Sequence, residues 1–171
     1  MALIIETGAG DNPSANSYGS VQDLRDYAEM RGIDLTGVTD AQAEALMIKA
    51  MDYLESLSAR YKGARASQAQ PLAWPRVDVW GVSFFDALYP SDEIPRELKY
   101  AQLALAVEAN AGNDLQPNDD GKGQVIKERI EGAVEIAYAN PTSRSRTPAF
   151  AKADALLSSL LVSNGLSLVR G

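Results

Sequence analysis

The sequence contains neither cysteine nor histidine. Without cysteine the chain can form no disulfide and no thiolate metal site, and without histidine it lacks both an imidazole metal ligand and the base of a Ser-His-Asp triad. No apolar run approaches the roughly 20 residues of a membrane helix, so we expect no membrane span, and the first residues lack the features of a secretory signal. The 171 residues are otherwise 46% hydrophobic and 23% charged, which is typical of one folded domain.

Negative charge dominates, with a formal net charge of -7. Acidic side chains outnumber basic ones over 1–60 and 91–138, whereas residues 139–171 are locally positive. A sequence pI near 4.6 argues against strong non-specific binding to duplex DNA. The positive end of an acidic chain instead indicates a docking segment.

Hydrophobic spacing and capping residues predict a mainly α protein. We expect a small bundle of about four helices with a β-hairpin insertion, a long aromatic-rich loop and extended N- and C-terminal arms. The predicted helices run from Ser20 to Arg31, from Thr39 to near Gly63, from Pro95 to Gly112, and from Thr147 to near Gly165. The single domain, 1–171, would comprise an arm (1–19), a helical core (20–112) containing the loop 63–94, a loop with hairpin (113–140), a C-terminal helix (147–164) and a tail (165–171).

Both tryptophans lie in the loop 63–94, which must either fold over the helices as an apolar lid or present apolar surface to a partner; the lid is favoured. Within it, Trp74-Pro75-Arg76 has two interpretations. An exposed Trp beside Arg can stack a base while the guanidinium binds phosphate. We favour the alternative, in which Trp74 anchors the loop on the helices and Arg76 donates to carbonyls or pairs with a carboxylate.

No motif indicates catalysis. Gly121-Lys122-Gly123 lacks the flanking residues of a phosphate-binding loop, and Asp119 and Asp120 would repel phosphate. Carboxylate pairs such as Asp92 and Glu93 are explained as exposed charges. We therefore expect a protein that is not an enzyme and has no cofactor and no metal site.

A series of segments carries a family resemblance. They are the opening Leu3-Ile4-Ile5-Glu6-Thr7-Gly8, Ala15-Asn16-Ser17-Tyr18, Asp52-Tyr53-Leu54, Leu72-Ala73-Trp74-Pro75-Arg76, Ile94-Pro95 and the closing Val169-Arg170-Gly171. In this order the chain resembles head–tail adaptor (connector) proteins of tailed bacteriophages, some of which are catalogued as DnaT-like single-stranded-DNA-binding proteins. The two labels are competing functions for one pattern, and the sequence favours the adaptor.

The adaptor resemblance implies a structural virion protein in the phage neck, present in the host cytoplasm during assembly. It implies a homo-oligomeric ring of twelve copies beneath the portal protein, bridging it to tail-side neck, tail-terminator or collar proteins around a channel that genomic double-stranded DNA passes. An acidic body would keep that DNA from sticking. The candidate portal-docking residues are Leu166, Leu168, Val169, Arg170 and Gly171. The candidate inter-subunit residues are Ile126, Ile130, Val134, Ile136, Tyr138, Trp80 and Phe84.

The alternative, a DnaT-like protein that binds single-stranded DNA, assigns other residues. Lys62, Arg65, Trp74 and Arg76 would stack bases and neutralise phosphates, and binding would weaken steeply with salt. The absence of an evident basic groove counts against it.

Overall fold

The computed structural model describes residues 2–81, 88–117, 125–130, 134–138 and 150–162. Within these ranges the chain forms four α-helices, one 3-10 helix and four short strands. They are α1 (Val21–Glu29), α2 (Asp40–Ser56), the 3-10 helix (Ser58–Arg60), β1 (Ala64–Arg65), β2 (Arg76–Val77), α3 (Arg96–Asn110), β3 (Val125–Ile130), β4 (Val134–Tyr138) and α4 (Ala151–Leu157). The mainly α fold class with a hairpin is confirmed.

The first two helices begin where their capping residues predicted. Ser20 caps α1 and Thr39 caps α2, and in each case the side chain three residues later, Asp23 or Gln42, returns a bond to the cap backbone. Such reciprocal capping boxes satisfy backbone N–H groups that the first helical turn leaves free. Helix α3 follows Pro95, whose missing N–H costs nothing at a helix start.

Two predicted helices are shorter than the apolar spacing indicated. Helix α2 ends at Ser56 rather than near Gly63, because the chain tightens into the 3-10 helix and becomes extended at Tyr61. Helix α4 is Ala151–Leu157, with Phe150 before it and Ser158 to Leu161 after it not helical, while the predicted ends at Thr147 and near Gly165 lie outside the described residues. After it, Leu161 forms an antiparallel bridge with Tyr61. Beyond the two helix ends Tyr61 and Leu160 are buried, where two extended segments pair in place of further helical turns.

The core lies between α2, α3 and α4, with α1 packed on α2 and α3. Gln102 of α3 is fully buried and ties the N-terminal arm to this core. Its Nε2 donates to Ser17 Oγ (2.8 Å) and to the Met47 carbonyl (3.2 Å), while its Oε1 accepts from the Tyr18 N–H (3.0 Å). The arm was expected to be extended, but it folds back on itself, and Ile5 forms a parallel bridge with Ser17.

The described part of the loop 63–94 mostly covers the helices, as the lid interpretation predicted. Leu72, Ala73, Trp74 and Val79 are buried in the core. Strands β1 and β2, which the local sequence did not predict, pair antiparallel with Arg65 opposite Arg76. They hold the two ends of the 66–75 segment together.

The chain divides into two compact units, one formed by 1–115 with 150–171 and the other by 116–149. In the second unit β3 and β4 pair antiparallel, with Ile130 opposite Val134 and Glu128 opposite Ile136. The predicted hairpin is therefore confirmed, and its register is irregular between Val125 and Lys127. No helix in the described ranges has the length and apolar character needed to cross a membrane.

Candidate nucleic-acid interface

Trp74 lies in the interior rather than on the surface. Its exposed fraction is 0%, and its indole packs edge-on against Tyr61 (ring centroids 6.2 Å apart) and Tyr89 (6.0 Å). Edge-to-face aromatic packing of this kind adds to the free energy gained by burial alone. Trp74 is thus the anchor that the sequence favoured, and it offers no ring face on which a base could stack.

Arg76 is also turned inward, with only 7% of its surface exposed. Its Nε donates to the Lys62 carbonyl (2.7 Å), and its two Nη atoms donate to the carbonyls of Ala73 (3.2 Å), Tyr61 (3.3 Å) and Gly63 (2.7 Å). Charge-assisted bonds are the strong ones, and here they join segment 61–63 to the loop. Assigning Arg76 and Trp74 to a DNA surface was wrong for this conformation, because both side chains are committed to the interior.

Glu55 of α2 holds the same loop through hydrogen bonds. Its Oε1 accepts from the Ala73 N–H (2.9 Å) and from the Tyr18 hydroxyl (3.3 Å), which itself accepts from the Trp74 N–H (3.1 Å). Burial raises the pKa of Glu55, against the opposing effect of these bonds and of the nearby Arg65 and Arg76 guanidinium groups. The backbone N–H groups of Ala73 and Trp74 are therefore held by a partly buried carboxyl, directly at Ala73 and through the Tyr18 hydroxyl at Trp74.

Lys62 and Arg65 are the two predicted DNA contacts that reach the surface. Arg65 is exposed on β1, where its Nη2 lies 3.8 Å from Glu55 Oε2. The Lys62 Nζ donates to the carbonyl of Trp80 (3.2 Å). The structure therefore brings Lys62 beside Trp80, the other tryptophan.

Trp80 is 57% exposed, and Leu88, with which it forms an antiparallel bridge, is 50% exposed. We call Lys62, Trp80 and Leu88 the Trp80 surface. No local pattern in the sequence predicts this exposure, because β2 ends at Val77 and Asp78 has a φ of +57°, so the segment that leads to Trp80 is not a regular strand with alternating faces.

A comparison with protein families matches the chain to a family that carries the DnaT-like label. The model described as "Putative DnaT-like ssDNA binding protein" matches residues 1–171, the whole chain. The chain belongs to this family. No curated protein and no solved structure matches it.

The DnaT-like family name corresponds to the alternative function that the sequence left open rather than to the adaptor. The family match supports the resemblance under that label, and it carries no information on a virion, a portal or a ring. Among the described side chains, no three acidic residues cluster as they would around a metal ion.

Several candidate residues remain untested. Leu166, Leu168, Val169, Arg170, Gly171 and Phe84 lie outside the described residues. Of the other inter-subunit candidates, Trp80 is exposed, and five lie on β3 and β4, for which the structure gives backbone pairing alone: Ile126, Ile130, Val134, Ile136 and Tyr138.

Proposed function

We propose that this protein binds single-stranded DNA and that the Trp80 surface is the contact. The family match over the whole chain is the observation that carries the proposal. The geometry supplies the chemistry, since an exposed indole can stack a base and a neighbouring ammonium can neutralise a phosphate. Trp80 and Lys62 are such a pair, joined through the bond from Lys62 Nζ to the Trp80 carbonyl.

The position of Lys62 suits this role. An ammonium has three donors, and the bond to the Trp80 carbonyl uses one of them. The structure gives the other two no partner among the described residues, so they would be able to meet a phosphate next to a base on Trp80. Arg65, three residues further on β1, would extend the phosphate contacts along the strand.

The affinity is expected to be modest and salt-sensitive. The net charge of -7 repels the DNA at long range, so attraction must come from local contacts. Each phosphate contact contributes about 0.7 to the slope of log K against log salt for a single strand, and stacking adds about 1–3 kcal/mol per base. Binding should therefore be detectable at low salt and favour single strands over duplex.

Tryptophan fluorescence during titration with an oligo-dT of about 20 nucleotides tests the proposal. We expect DNA to quench the emission of Trp80 and leave that of the buried Trp74 unchanged. Trp80→Phe keeps an aromatic face, so it should retain binding measured by anisotropy but lose the quenching. Trp80→Ala should weaken binding about tenfold or more. The absence of oligonucleotide binding at low salt would overturn the proposed function.

The head–tail adaptor is the second candidate, and the observation that favours it is the apolar exposure of Trp80 and Leu88 on an acidic protein. Exposed apolar residues that lie together are typical of a protein interface. In this proposal Trp80 contacts a neighbouring subunit in a ring of twelve copies beneath the portal. The protein would then be a structural component of the phage neck, with no catalytic step and no cofactor.

Mass measurement of the protein alone and mixed with its candidate portal protein separates the two functions. An adaptor should join the portal in a large ring complex without binding oligo-dT. Trp80→Ala should weaken that assembly, and truncation after Asn164 should abolish it if the tail docks. Oligonucleotide binding without portal association would reject the adaptor.

A further inference from the structure

A second group of cations and aromatic rings lies outside the Trp80 surface. It joins Tyr27 of α1 and Tyr100 of α3 to three basic residues, Arg31, Arg96 and Lys152. We call these five residues the tyrosine–cation cluster. Its members come from three helices and from the turn that follows α1, so only the folded chain assembles it.

The two tyrosines form its floor. Their ring centroids are 5.7 Å apart in an edge-on arrangement, with Tyr27 buried and Tyr100 half-buried. The Arg31 guanidinium carbon lies 3.5 Å from the Tyr27 centroid and 5.7 Å from that of Tyr100. The Arg96 carbon lies 5.1 Å from Tyr100, and the Lys152 ammonium lies 5.2 Å from Tyr27.

These distances place the cations close together. Because Arg31 and Arg96 share the Tyr100 ring, their guanidinium carbons are no more than about 11 Å apart, the sum of 5.7 Å and 5.1 Å. Arg31 and Lys152 share the Tyr27 ring in the same way and are within about 9 Å, from 3.5 Å and 5.2 Å. Like charges at such distances repel one another, and an anion placed among them removes that repulsion.

The cluster also has the electrostatics of an anion site. Arg31, Arg96 and Lys152 are all exposed. The ion pairs seen within the described residues, Arg25 with Asp40 and Arg65 with Glu55, include none of these three. Arg31 is held in place as well, because its Nη1 donates to the Tyr27 carbonyl (3.1 Å) while the guanidinium stacks on the ring. An ordered guanidinium loses little conformational freedom on binding.

We propose that the tyrosine–cation cluster is a second contact for single-stranded DNA, in which the three cations bind consecutive phosphates. This inference rests on the proposed function and adds a site to it. A nucleic-acid backbone is favoured over a single carboxylate ligand because three cations suit a chain that carries one charge per nucleotide.

The test compares two charge-matched double variants by titration with oligo-dT at several salt concentrations. Arg96→Gln/Lys152→Gln removes two exposed cations and keeps the stacked Arg31, so it should leave the fold intact. Arg25→Gln/Lys49→Gln removes the same net charge from α1 and α2, outside the cluster. Equal melting temperatures for the wild type and both variants establish that folding is unaffected.

In the cluster variant, the slope of log K against log salt should fall by about 1.4, since two phosphate contacts of about 0.7 each are lost. Its binding at low salt should be about tenfold weaker. The control variant should have the wild-type slope and affinity. If the wild type binds DNA and both variants have the wild-type slope, the cluster inference is wrong and the proposed function stands. If the wild type binds no DNA, the proposed function is wrong, and so is the assignment of DNA as the ligand of the cluster.

Two further probes identify the class of anion. Tripolyphosphate binding that the cluster variant loses, in a wild type that binds no oligo-dT, would overturn DNA in favour of a free oligophosphate. Polyglutamate that displaces oligo-dT from the cluster at equal charge concentration would overturn phosphate recognition in favour of an acidic peptide.

Discussion

The two tryptophans, six residues apart, have opposite environments because of what each side chain meets. Trp74 is enclosed by Tyr61 and Tyr89, and its backbone N–H is bound by the Tyr18 hydroxyl. Trp80 is mostly exposed, and the Lys62 ammonium donates to its backbone carbonyl. One residue type thus serves folding at one position and is available for binding at the other.

Trp74→Ala should therefore destabilise the protein by about 3–5 kcal/mol, the usual cost of emptying a large aromatic site in a core. Trp80→Ala should change the free energy of unfolding by about 0.5 kcal/mol or less, because the side chain is mostly exposed. Urea unfolding followed by circular dichroism measures both. Equal effects of the two substitutions would contradict the assignment of Trp74 as the anchor.

Glu55 makes the stability of the protein depend on pH. Its pKa in the folded protein is raised by burial, so the folded state holds its proton more tightly than the unfolded state. Its contribution to stability is complete below the unfolded pKa of about 4.3 and is lost as the pH rises through the folded pKa. The pH dependence of stability has the opposite sign for Asp34, because hydrogen bonds from the Thr36 N–H and hydroxyl lower the pKa of this carboxyl.

Glu55→Gln should consequently gain stability relative to the wild type as the pH rises from about 4 to about 7, since glutamine has no proton to lose. Asp34→Asn should show the reverse, becoming less unfavourable relative to the wild type as the pH falls through the acidic range. Urea unfolding at a series of pH values gives the two differences. A pH-independent difference for Glu55→Gln would show that its pKa is not raised.

At the scale of elements, the junction of segment 61–63 with β1 depends on a close backbone approach. Gly63 has a φ of +70°, and a Cβ there would overlap the Val77 carbonyl oxygen. The same segment receives the Arg76 bonds to Lys62 and Gly63. The two-residue ladder between β1 and β2 persists because a buried guanidinium and a glycine contact reinforce it.

Gly63→Ala should cost clearly more than Gly112→Ala. Gly112 also has a positive φ, +88°, but no atom lies within 4 Å of the place that a Cβ would take, so the substitution should cost about 1–2 kcal/mol from backbone strain alone. At Gly63 the overlap with Val77 adds about 1–3 kcal/mol. Thermal unfolding of both variants makes the comparison, and equal costs would mean that the close approach is not important for stability.

At the scale of the whole molecule, charge and local chemistry act in opposite directions. A net charge of -7 disfavours general attraction to nucleic acid, so any DNA contact must be local. The first unit carries two groups in which exposed cations and aromatic residues are neighbours, the Trp80 surface and the tyrosine–cation cluster. A protein of this kind would discriminate by stacking on unpaired bases, which a duplex does not present.

The sequence by itself determined the elements whose signals are local. Ser20 and Thr39 marked two helix starts, Pro95 marked a third, and the change of period after Gln124 marked the hairpin. These signals depend on backbone groups and side chains a few residues apart, so no distant contact is needed to interpret them.

Only the tertiary structure decided where helices α2 and α4 end and which aromatic rings are exposed. The pairing of Tyr61 with Leu161, the inward turn of Arg76 and the meeting of Arg31, Arg96 and Lys152 join residues far apart in the chain. Apolar spacing alone cannot distinguish a further helical turn from an extended segment buried by a distant partner. Burial by long-range packing overrides local propensity, and in this protein it placed the candidate binding residues.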